Sequence, residues 1–203
     1  MNSRDQIVAA ARSLFSRALT HGSTGNLSVR VDEGILITPT GSSLGTVEPR
    51  DLSLISLDGA HLDGPNPSKE AFLHAAVLRA RPTDSAVVHT HSTHAAAVSC
   101  LAGLDPNDSI PPLTAYFAMR IGRLPLLPYH APGDRSLGGL AETTALTNRA
   151  MLLSNHGPVV AGRSLDSAMD ALEELEETAK LFLLLHGREV RALTVAEITK
   201  LAP

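Results

Sequence analysis

Short apolar runs bounded by Gly, Asp and Pro turns alternate in this chain with longer stretches of helical periodicity, which restricts it to a single α/β domain built around a mixed sheet. Leu27-Ser28-Val29-Arg30-Val31 alternates apolar with polar and reads as a strand. Asp32-Glu33-Gly34 turns it, and residues 34–38 return as the second arm of a hairpin. Residues 52–56 form a further strand closed by the Asp58-Gly59 turn. Residues 86–91 read as a buried strand, and 124–129, 150–154 and 158–161 as three more. Among the helices, Ser3-x-x-Gln6 is a capping box for a first one that runs toward Thr20-His21-Gly22, with Ile7, Ala11 and Leu14 on its apolar stripe. Ser68 N-caps a second, with Phe72, Leu73, Ala76 and Val77 inward and Pro82 as its stop. Ser92 or Thr93 caps a third, Ser164 opens the longest with Gly187 beyond its end, and Thr194-x-x-Glu197 caps a short tail helix. No repeat, low-complexity stretch or linker interrupts this pattern, so residues 1–203 are expected to form one domain.

Rings are spent unusually. The chain has four Phe, two Tyr and no Trp against nine His, so its core must be built from Ala, Leu, Val and Ile while many imidazoles remain for metal binding or proton transfer. A formal net charge of −4 without a Lys/Arg cluster argues against nucleic acid as a partner. The longest solid apolar run, residues 181–185, is far too short to span a membrane. The first residues carry no signal-peptide core and Cys100 is the only cysteine, so the expectation is a cytoplasmic protein without disulfides.

His89 and His91 lie two apart on the predicted buried strand, and a period of two points both side chains to one face at the strand's C-terminal end. They read either as half of a transition-metal site or as a hydrogen-bonded structural pair. His156, in the turn Ser154-Asn155-His156-Gly157 between two apolar strands, can serve as a third ligand. Glu70, in the first turn of the Ser68 helix, is either a charge that compensates the helix dipole or a fourth donor. Three His and one Glu make a tetrahedral set suited to Zn²⁺. A cupin would need a Glu shortly after His91, which residues 92–100 lack, and an amidohydrolase barrel needs a longer chain. His74 and His94 are plausible neighbours of the site; His186 sits where a helix end favours a cation, and His21, His61 and His130 read as surface residues. Three loops rich in small residues, 22–26, 38–43 and 66–69, could let backbone N–H groups approach an anion, with Lys69 adding a charge beside Glu70.

Gly25-Asn26-Leu27-Ser28, Thr38-Pro39-Thr40-Gly41, Pro67-Ser68-Lys69-Glu70, His89-Thr90-His91-Ser92 and Asn155-His156-Gly157 occur in the order found in the class II aldolase/adducin family, which the chain resembles from its first helix to Gly187. The resemblance implies an α/β/α sandwich with a central mixed, largely antiparallel sheet, and a homotetramer with active sites at subunit interfaces. It implies one zinc ion per subunit at His89, His91 and His156, with Glu70 as a metal-adjacent acid/base. The phosphate of a sugar-acid substrate would fall to Gly25, Asn26, Thr40, Gly41, Ser68 and Lys69. Tyr116 matches the family tyrosine that donates a proton in a neighbouring subunit's site; its other reading is a packed core ring.

Within the family, segments such as 68–74, 98–101, 119–122 and 173–180 are most similar to the 3-oxo-tetronate 4-phosphate decarboxylases. That likeness implies a zinc-dependent carboxy-lyase giving dihydroxyacetone phosphate and CO2 through a stabilised enediolate. Fuculose-phosphate aldolases have a second Ser where this chain has Lys69, and a functional C-terminal Tyr, whereas no Tyr follows Tyr129 here. A class II sugar-phosphate aldolase or ribulose-phosphate epimerase is the alternative. A non-catalytic adducin-like module is the third reading, disfavoured by the intact His/Glu set.

Overall fold

The computed structural model describes residues 2–201. Eight strands form one sheet: β1 (Asn26–Val31), β2 (Gly34–Ile37), β3 (Ser53–Ile55), β4 (His61–Asp63), β5 (Ala86–His89), β6 (Leu126–Leu127), β7 (Ala150–Leu153) and β8 (Gly157–Gly162). Their order is β4-β3-β2-β1-β5-β8-β7-β6. Only the β6–β7 pair is parallel, so the sheet is mixed and largely antiparallel, as expected. The seven helices described are α1 (Ser3–Ser16), α2 (Ala71–Ala80), α3 (Thr93–Ser99), α4 (Ala115–Arg120), α5 (Leu137–Ala145), α6 (Leu165–Leu184) and α7 (Val195–Thr199).

Alternation along the central strands divides the interior in two. Ala86 and Val88 join Leu27, Val29 and Val160 in a core closed by α1, α3, α4 and α6. Val87 points the other way and joins Ile35, Ile37, Val159 and Ala161 beneath α2 and α5. The apolar run at the head of β5 is therefore a strand covered on both faces, and the layers are α/β/α. Of the Phe and Tyr rings among the described residues, Phe117 alone is fully buried, so the core is aliphatic, as the composition requires.

Several local expectations shift. Asn2, not Ser3, caps α1 by accepting from the Asp5 N–H, and the helix stops at Ser16, with Ala18 in the left-handed region at φ 57°. Helix α2 begins at Ala71, which leaves Glu70 at its N-cap rather than in its first turn; the Ser68 hydroxyl accepts the Glu70 N–H at 3.2 Å. Strand β5 ends at His89, two residues before the expected end. Three elements are unforeseen. Glycine at 138 and 139 weakens the helical signal of α5, yet a Cβ on Gly138 would lie 3.3 Å from the Phe72 ring, so glycine there lets α5 approach α2. Helix α4 is short and flanked by Pro and Gly, and β4 is an exposed edge strand without alternation in burial. The Thr194–Glu197 capping box of α7 and the Ser164 cap of α6 form as read.

Candidate metal centre and its carboxylate

Strand β5 delivers His89 to the face of the sheet that lies beneath α2, in register with Asn26 of β1 on one side and Val159 of β8 on the other. The His89 ring is fully buried, and its Nδ1–H donates to the Pro158 carbonyl at 2.8 Å, which leaves Nε2 as the lone-pair atom. His91 lies just beyond the strand, and His156 sits in the tight β7–β8 turn after Asn155, whose φ is 55°. The three rings meet edge to face, with centroids 4.5, 4.8 and 5.1 Å apart. One nitrogen from each lies within 4.8 Å of the other two. His91 Nε2 and His156 Nε2 are 2.9 Å apart.

Glu70 closes the fourth side, with Oε2 3.4 Å from His89 Nε2 and Oε1 3.4 Å from His156 Nε2. Burial opposes its ionisation, but His89, the Asn26 amide, His156 and His74 together outweigh burial and hold the carboxyl down at about 2. Burial depresses His91 and His156, each to about 4, and the neighbouring His89 adds to the effect. Near neutral pH both imidazoles are therefore uncharged, the form that ligates a metal.

Does this constellation fit an ion? Among the described residues, three buried side-chain atoms lack a hydrogen-bond partner: His89 Nε2, Thr90 Oγ1 and Ser92 Oγ. Leaving a buried polar atom unpaired costs about 1–3 kcal/mol. His89 Nε2 points into the group formed by the other two imidazoles, so an ion there would satisfy the atom that the protein leaves unpaired. The residues fit a divalent metal with nitrogen-rich coordination.

Backbone packing holds the ligands at this spacing. A Cβ on Gly157 would stand 2.3 Å from the Thr90 carbonyl oxygen, so glycine is required where β8 passes the 90–91 segment. Gly25, at φ +79°, plays the same part against the His89 carbonyl, 2.9 Å from where its Cβ would be. The Asn155 N–H donates to the Ser99 carbonyl, and the His156 N–H to the Ser99 hydroxyl, both at 3.1 Å. Glu176 of α6 accepts the His94 and Ala95 N–H groups, each at 2.9 Å, and thereby caps α3. His94 Nδ1 lies 2.8 Å from the same carboxylate, so this histidine supports the α3 cap and not the triad. Ser99 and Glu176 were not singled out from the sequence as site residues; no local spacing links either to a ligand.

The three small-residue loops also converge. The Thr38 hydroxyl accepts the Leu27 N–H at 3.2 Å, the Ser68 N–H reaches the Thr38 carbonyl at 3.2 Å, and the Thr40 N–H reaches the Asn66 carbonyl at 3.0 Å. Thr40, Gly41 and Lys69 are exposed at the rim, while Asn26 and Ser68 are buried. Both ends of the Asn26 amide are taken, by Glu70 and by His74. Tyr116 is 61% exposed on α4, with Arg120 5.6 Å from its ring centre, which rules out the packed-core reading.

Comparison with known proteins agrees with this architecture. The family model of the Class II Aldolase and Adducin N-terminal domain matches residues 5–183. The chain is 48% identical over 199 residues to the 3-oxo-tetronate 4-phosphate decarboxylase of Escherichia coli strain K12, covering 98% of this chain and 94% of that one. It is 34% identical to the L-fuculose phosphate aldolase of the same organism, over 88% of this chain and 81% of that one. The crystal structure of YgbL from Klebsiella pneumoniae superposes with a TM-score of 0.95 at 45% identity, over 98% and 97% of the two chains. Fold, ordered motifs and near-complete coverage lead to one conclusion: the chain belongs to the class II aldolase/adducin family.

Proposed function

We propose that this protein is a carboxy-lyase that converts 3-oxo-tetronate 4-phosphate to dihydroxyacetone phosphate and CO2. The observation that carries the choice within the family is the 48% identity, over nearly the whole chain, to a protein of that name, against 34% to the fuculose aldolase. The triad His89, His91 and His156 would hold the metal, and three imidazoles beside a carboxylate favour zinc. When bound, such an ion supplies Lewis-acid stabilisation of negative charge developing on substrate oxygen. Glu70 is held as a carboxylate, so it acts first as a base and returns a proton only after taking one. Glu70 would take the 2-hydroxyl proton as loss of CO2 breaks the C1–C2 bond and leaves its electron pair as an enediolate; returning that proton to C2, with one further proton taken up at the 2-oxygen, completes the product. Tyr116, with its ring exposed on α4, would supply a proton to the site of a neighbouring subunit in a homotetramer. The convergent loops at Gly25, Asn26, Thr40, Gly41, Ser68 and Lys69 would cradle the phosphate, with the Lys69 charge at the exposed rim. No described helix is long and apolar enough to cross a membrane, which fits a cytoplasmic location.

The test offers purified, zinc-loaded protein 3-oxo-tetronate 4-phosphate and measures CO2 and dihydroxyacetone phosphate. Stoichiometric release of both supports the proposal. Absence of CO2, with aldehyde released from fuculose 1-phosphate instead, transfers the assignment to the aldolase reading.

A further inference from the structure

Strand β1 presents Asn26, Ser28 and Arg30 at every second position beneath α2, where an apolar face would be the ordinary choice. Each meets α2 four residues further along. The Asn26 Nδ2 donates to Glu70 Oε2 at 2.8 Å, Ser28 Oγ lies 2.7 Å from His74 Nδ1, and the Arg30 guanidinium donates to the Leu78 carbonyl at 2.6 Å. The match is geometric: two residues of strand advance about 6.6 Å and four residues of helix about 6 Å, so the rungs stay in step.

A fourth bond, between His74 Nε2 and Asn26 Oδ1, joins the first two rungs and gives the set a direction. An amide oxygen only accepts, so Nε2 carries the His74 proton; Nδ1 is then a lone pair and the Ser28 hydroxyl must donate to it. Reversing the Asn26 amide would set N–H against N–H at His74 and oxygen against oxygen at Glu70. Ser28 and His74 are fully buried, and Asn26 and Glu70 nearly so, leaving little water to substitute for a lost bond.

We propose that His74 and Ser28 are positioning residues whose directed chain through the Asn26 amide aims the Glu70 carboxylate at the histidine triad. The proposal rests on the functional reading above for Glu70's role in turnover. It adds that the rotamer of Glu70 is set from the β1–α2 interface. Full burial, reinforced by His89, depresses His74 to about 3, which agrees with a neutral imidazole having one defined tautomer.

The test compares wild type with His74→Leu, His74→Gln, Ser28→Ala and Asn26→Ala. It measures kcat and KM, zinc per subunit, and the Glu70 position in crystal structures. In His74→Leu, kcat falls about 10- to 100-fold while KM and zinc content stay within about twofold, the scale expected when a supporting shell is lost. His74→Gln, which keeps an N–H near the Nε2 position, recovers most of the loss. Ser28→Ala, which removes a single oxygen, lowers kcat in the same direction and serves if His74→Leu does not fold. Asn26→Ala, which removes the link between His74 and Glu70, lowers kcat in the same direction. Unaltered kcat in folded Ser28→Ala and His74→Leu overturns the proposal. A wild type inactive on this substrate sinks the functional reading alone, because the crystal structures still decide whether Glu70 moves when the chain is cut; an unmoved Glu70 refutes the positioning.

Discussion

Gly157→Ala tests whether the triad is a rigid unit. The new Cβ would lie 2.3 Å from the Thr90 carbonyl oxygen, 3.3 Å from the Thr90 carbonyl carbon and 3.4 Å from the His91 Cα, all of them main chain. Ordinary contact starts at 3.4 Å, so the start of β8 and the 90–91 segment must part by about 1 Å. His156 immediately precedes the substituted residue and His91 is one of the displaced neighbours, so the shift falls on two members of the triad at once. Metal–ligand distances tolerate about 0.2 Å, and a displacement several times larger lowers zinc affinity at least as much as loss of an outer-shell partner, about 10- to 100-fold. Crowding also destabilises the metal-free fold by about 1–3 kcal/mol. Calorimetric zinc titration reads the first effect and thermal unfolding with chelator present reads the second. Gly139→Ala is the control: nothing lies within 4 Å of its Cβ in α5, so it should gain about 0.5–1 kcal/mol and bind zinc as wild type does. Zinc affinity within about threefold of wild type in Gly157→Ala, less than the smallest outer-shell effect, refutes the reasoning.

Other substitutions probe the remaining supports. Glu70→Gln should lower turnover by at least about 100-fold while inorganic phosphate still binds; near-normal kcat removes Glu70 from proton transfer. Zinc at a thousandfold excess over its Kd should stabilise the stripped protein by about 4 kcal/mol, or about 8–16 °C in Tm, and His91→Ala should abolish that shift in differential scanning fluorimetry. Glu176→Ala leaves the His94 and Ala95 N–H groups unpaired and should cost about 2–4 kcal/mol, with Glu176→Gln milder, as read by urea unfolding. His74 is depressed from 6.5 to about 3, so the unfolded chain binds the extra proton and stability is lost as pH falls from 6.5 toward 3. Between pH 7 and pH 5 this one group costs about 2 kcal/mol, and urea unfolding of His74→Gln should show that much less acid sensitivity.

Local periodicity made much of this architecture legible in advance. Alternation at Leu27 to Val31, the doubly covered run at Ala86 to Val88 and the capped stripe of α6 each carry their own signal, and each forms. The glycines of α5 and the all-exposed β4 carry none, because a partner element decides both. His89 and His91 were paired by strand period although the strand ends at His89; what brings His91 to the site is the path of the chain into α3. The β1–α2 ladder was present as two spacings, Asn26-x-Ser28 and Glu70-x-x-x-His74, but nothing local says that they face each other. Only the fold brings period two and period four into step.

The four residues His89 to Ser92 cannot hold their own geometry: they leave the sheet with three buried polar atoms unpaired. Their order is imposed from both ends. The Pro158 carbonyl holds His89 at the start, and Glu176 clamps the first turn of α3 at the finish. Ser99, in the last turn of that helix, grips the His156 turn. Helix α3 thus ties His91 to His156, and β8 ties His156 back to His89. Glu70 lies outside this loop and depends on β1 and α2. Separate supports for the triad and for the carboxylate mean that the proposed ion would meet a frame already formed, while Glu70, the proposed proton-exchanging group, could be perturbed without emptying the site. An aldolase and a decarboxylase could share the first support unchanged, so a difference in reaction within this frame comes from what is arranged around it.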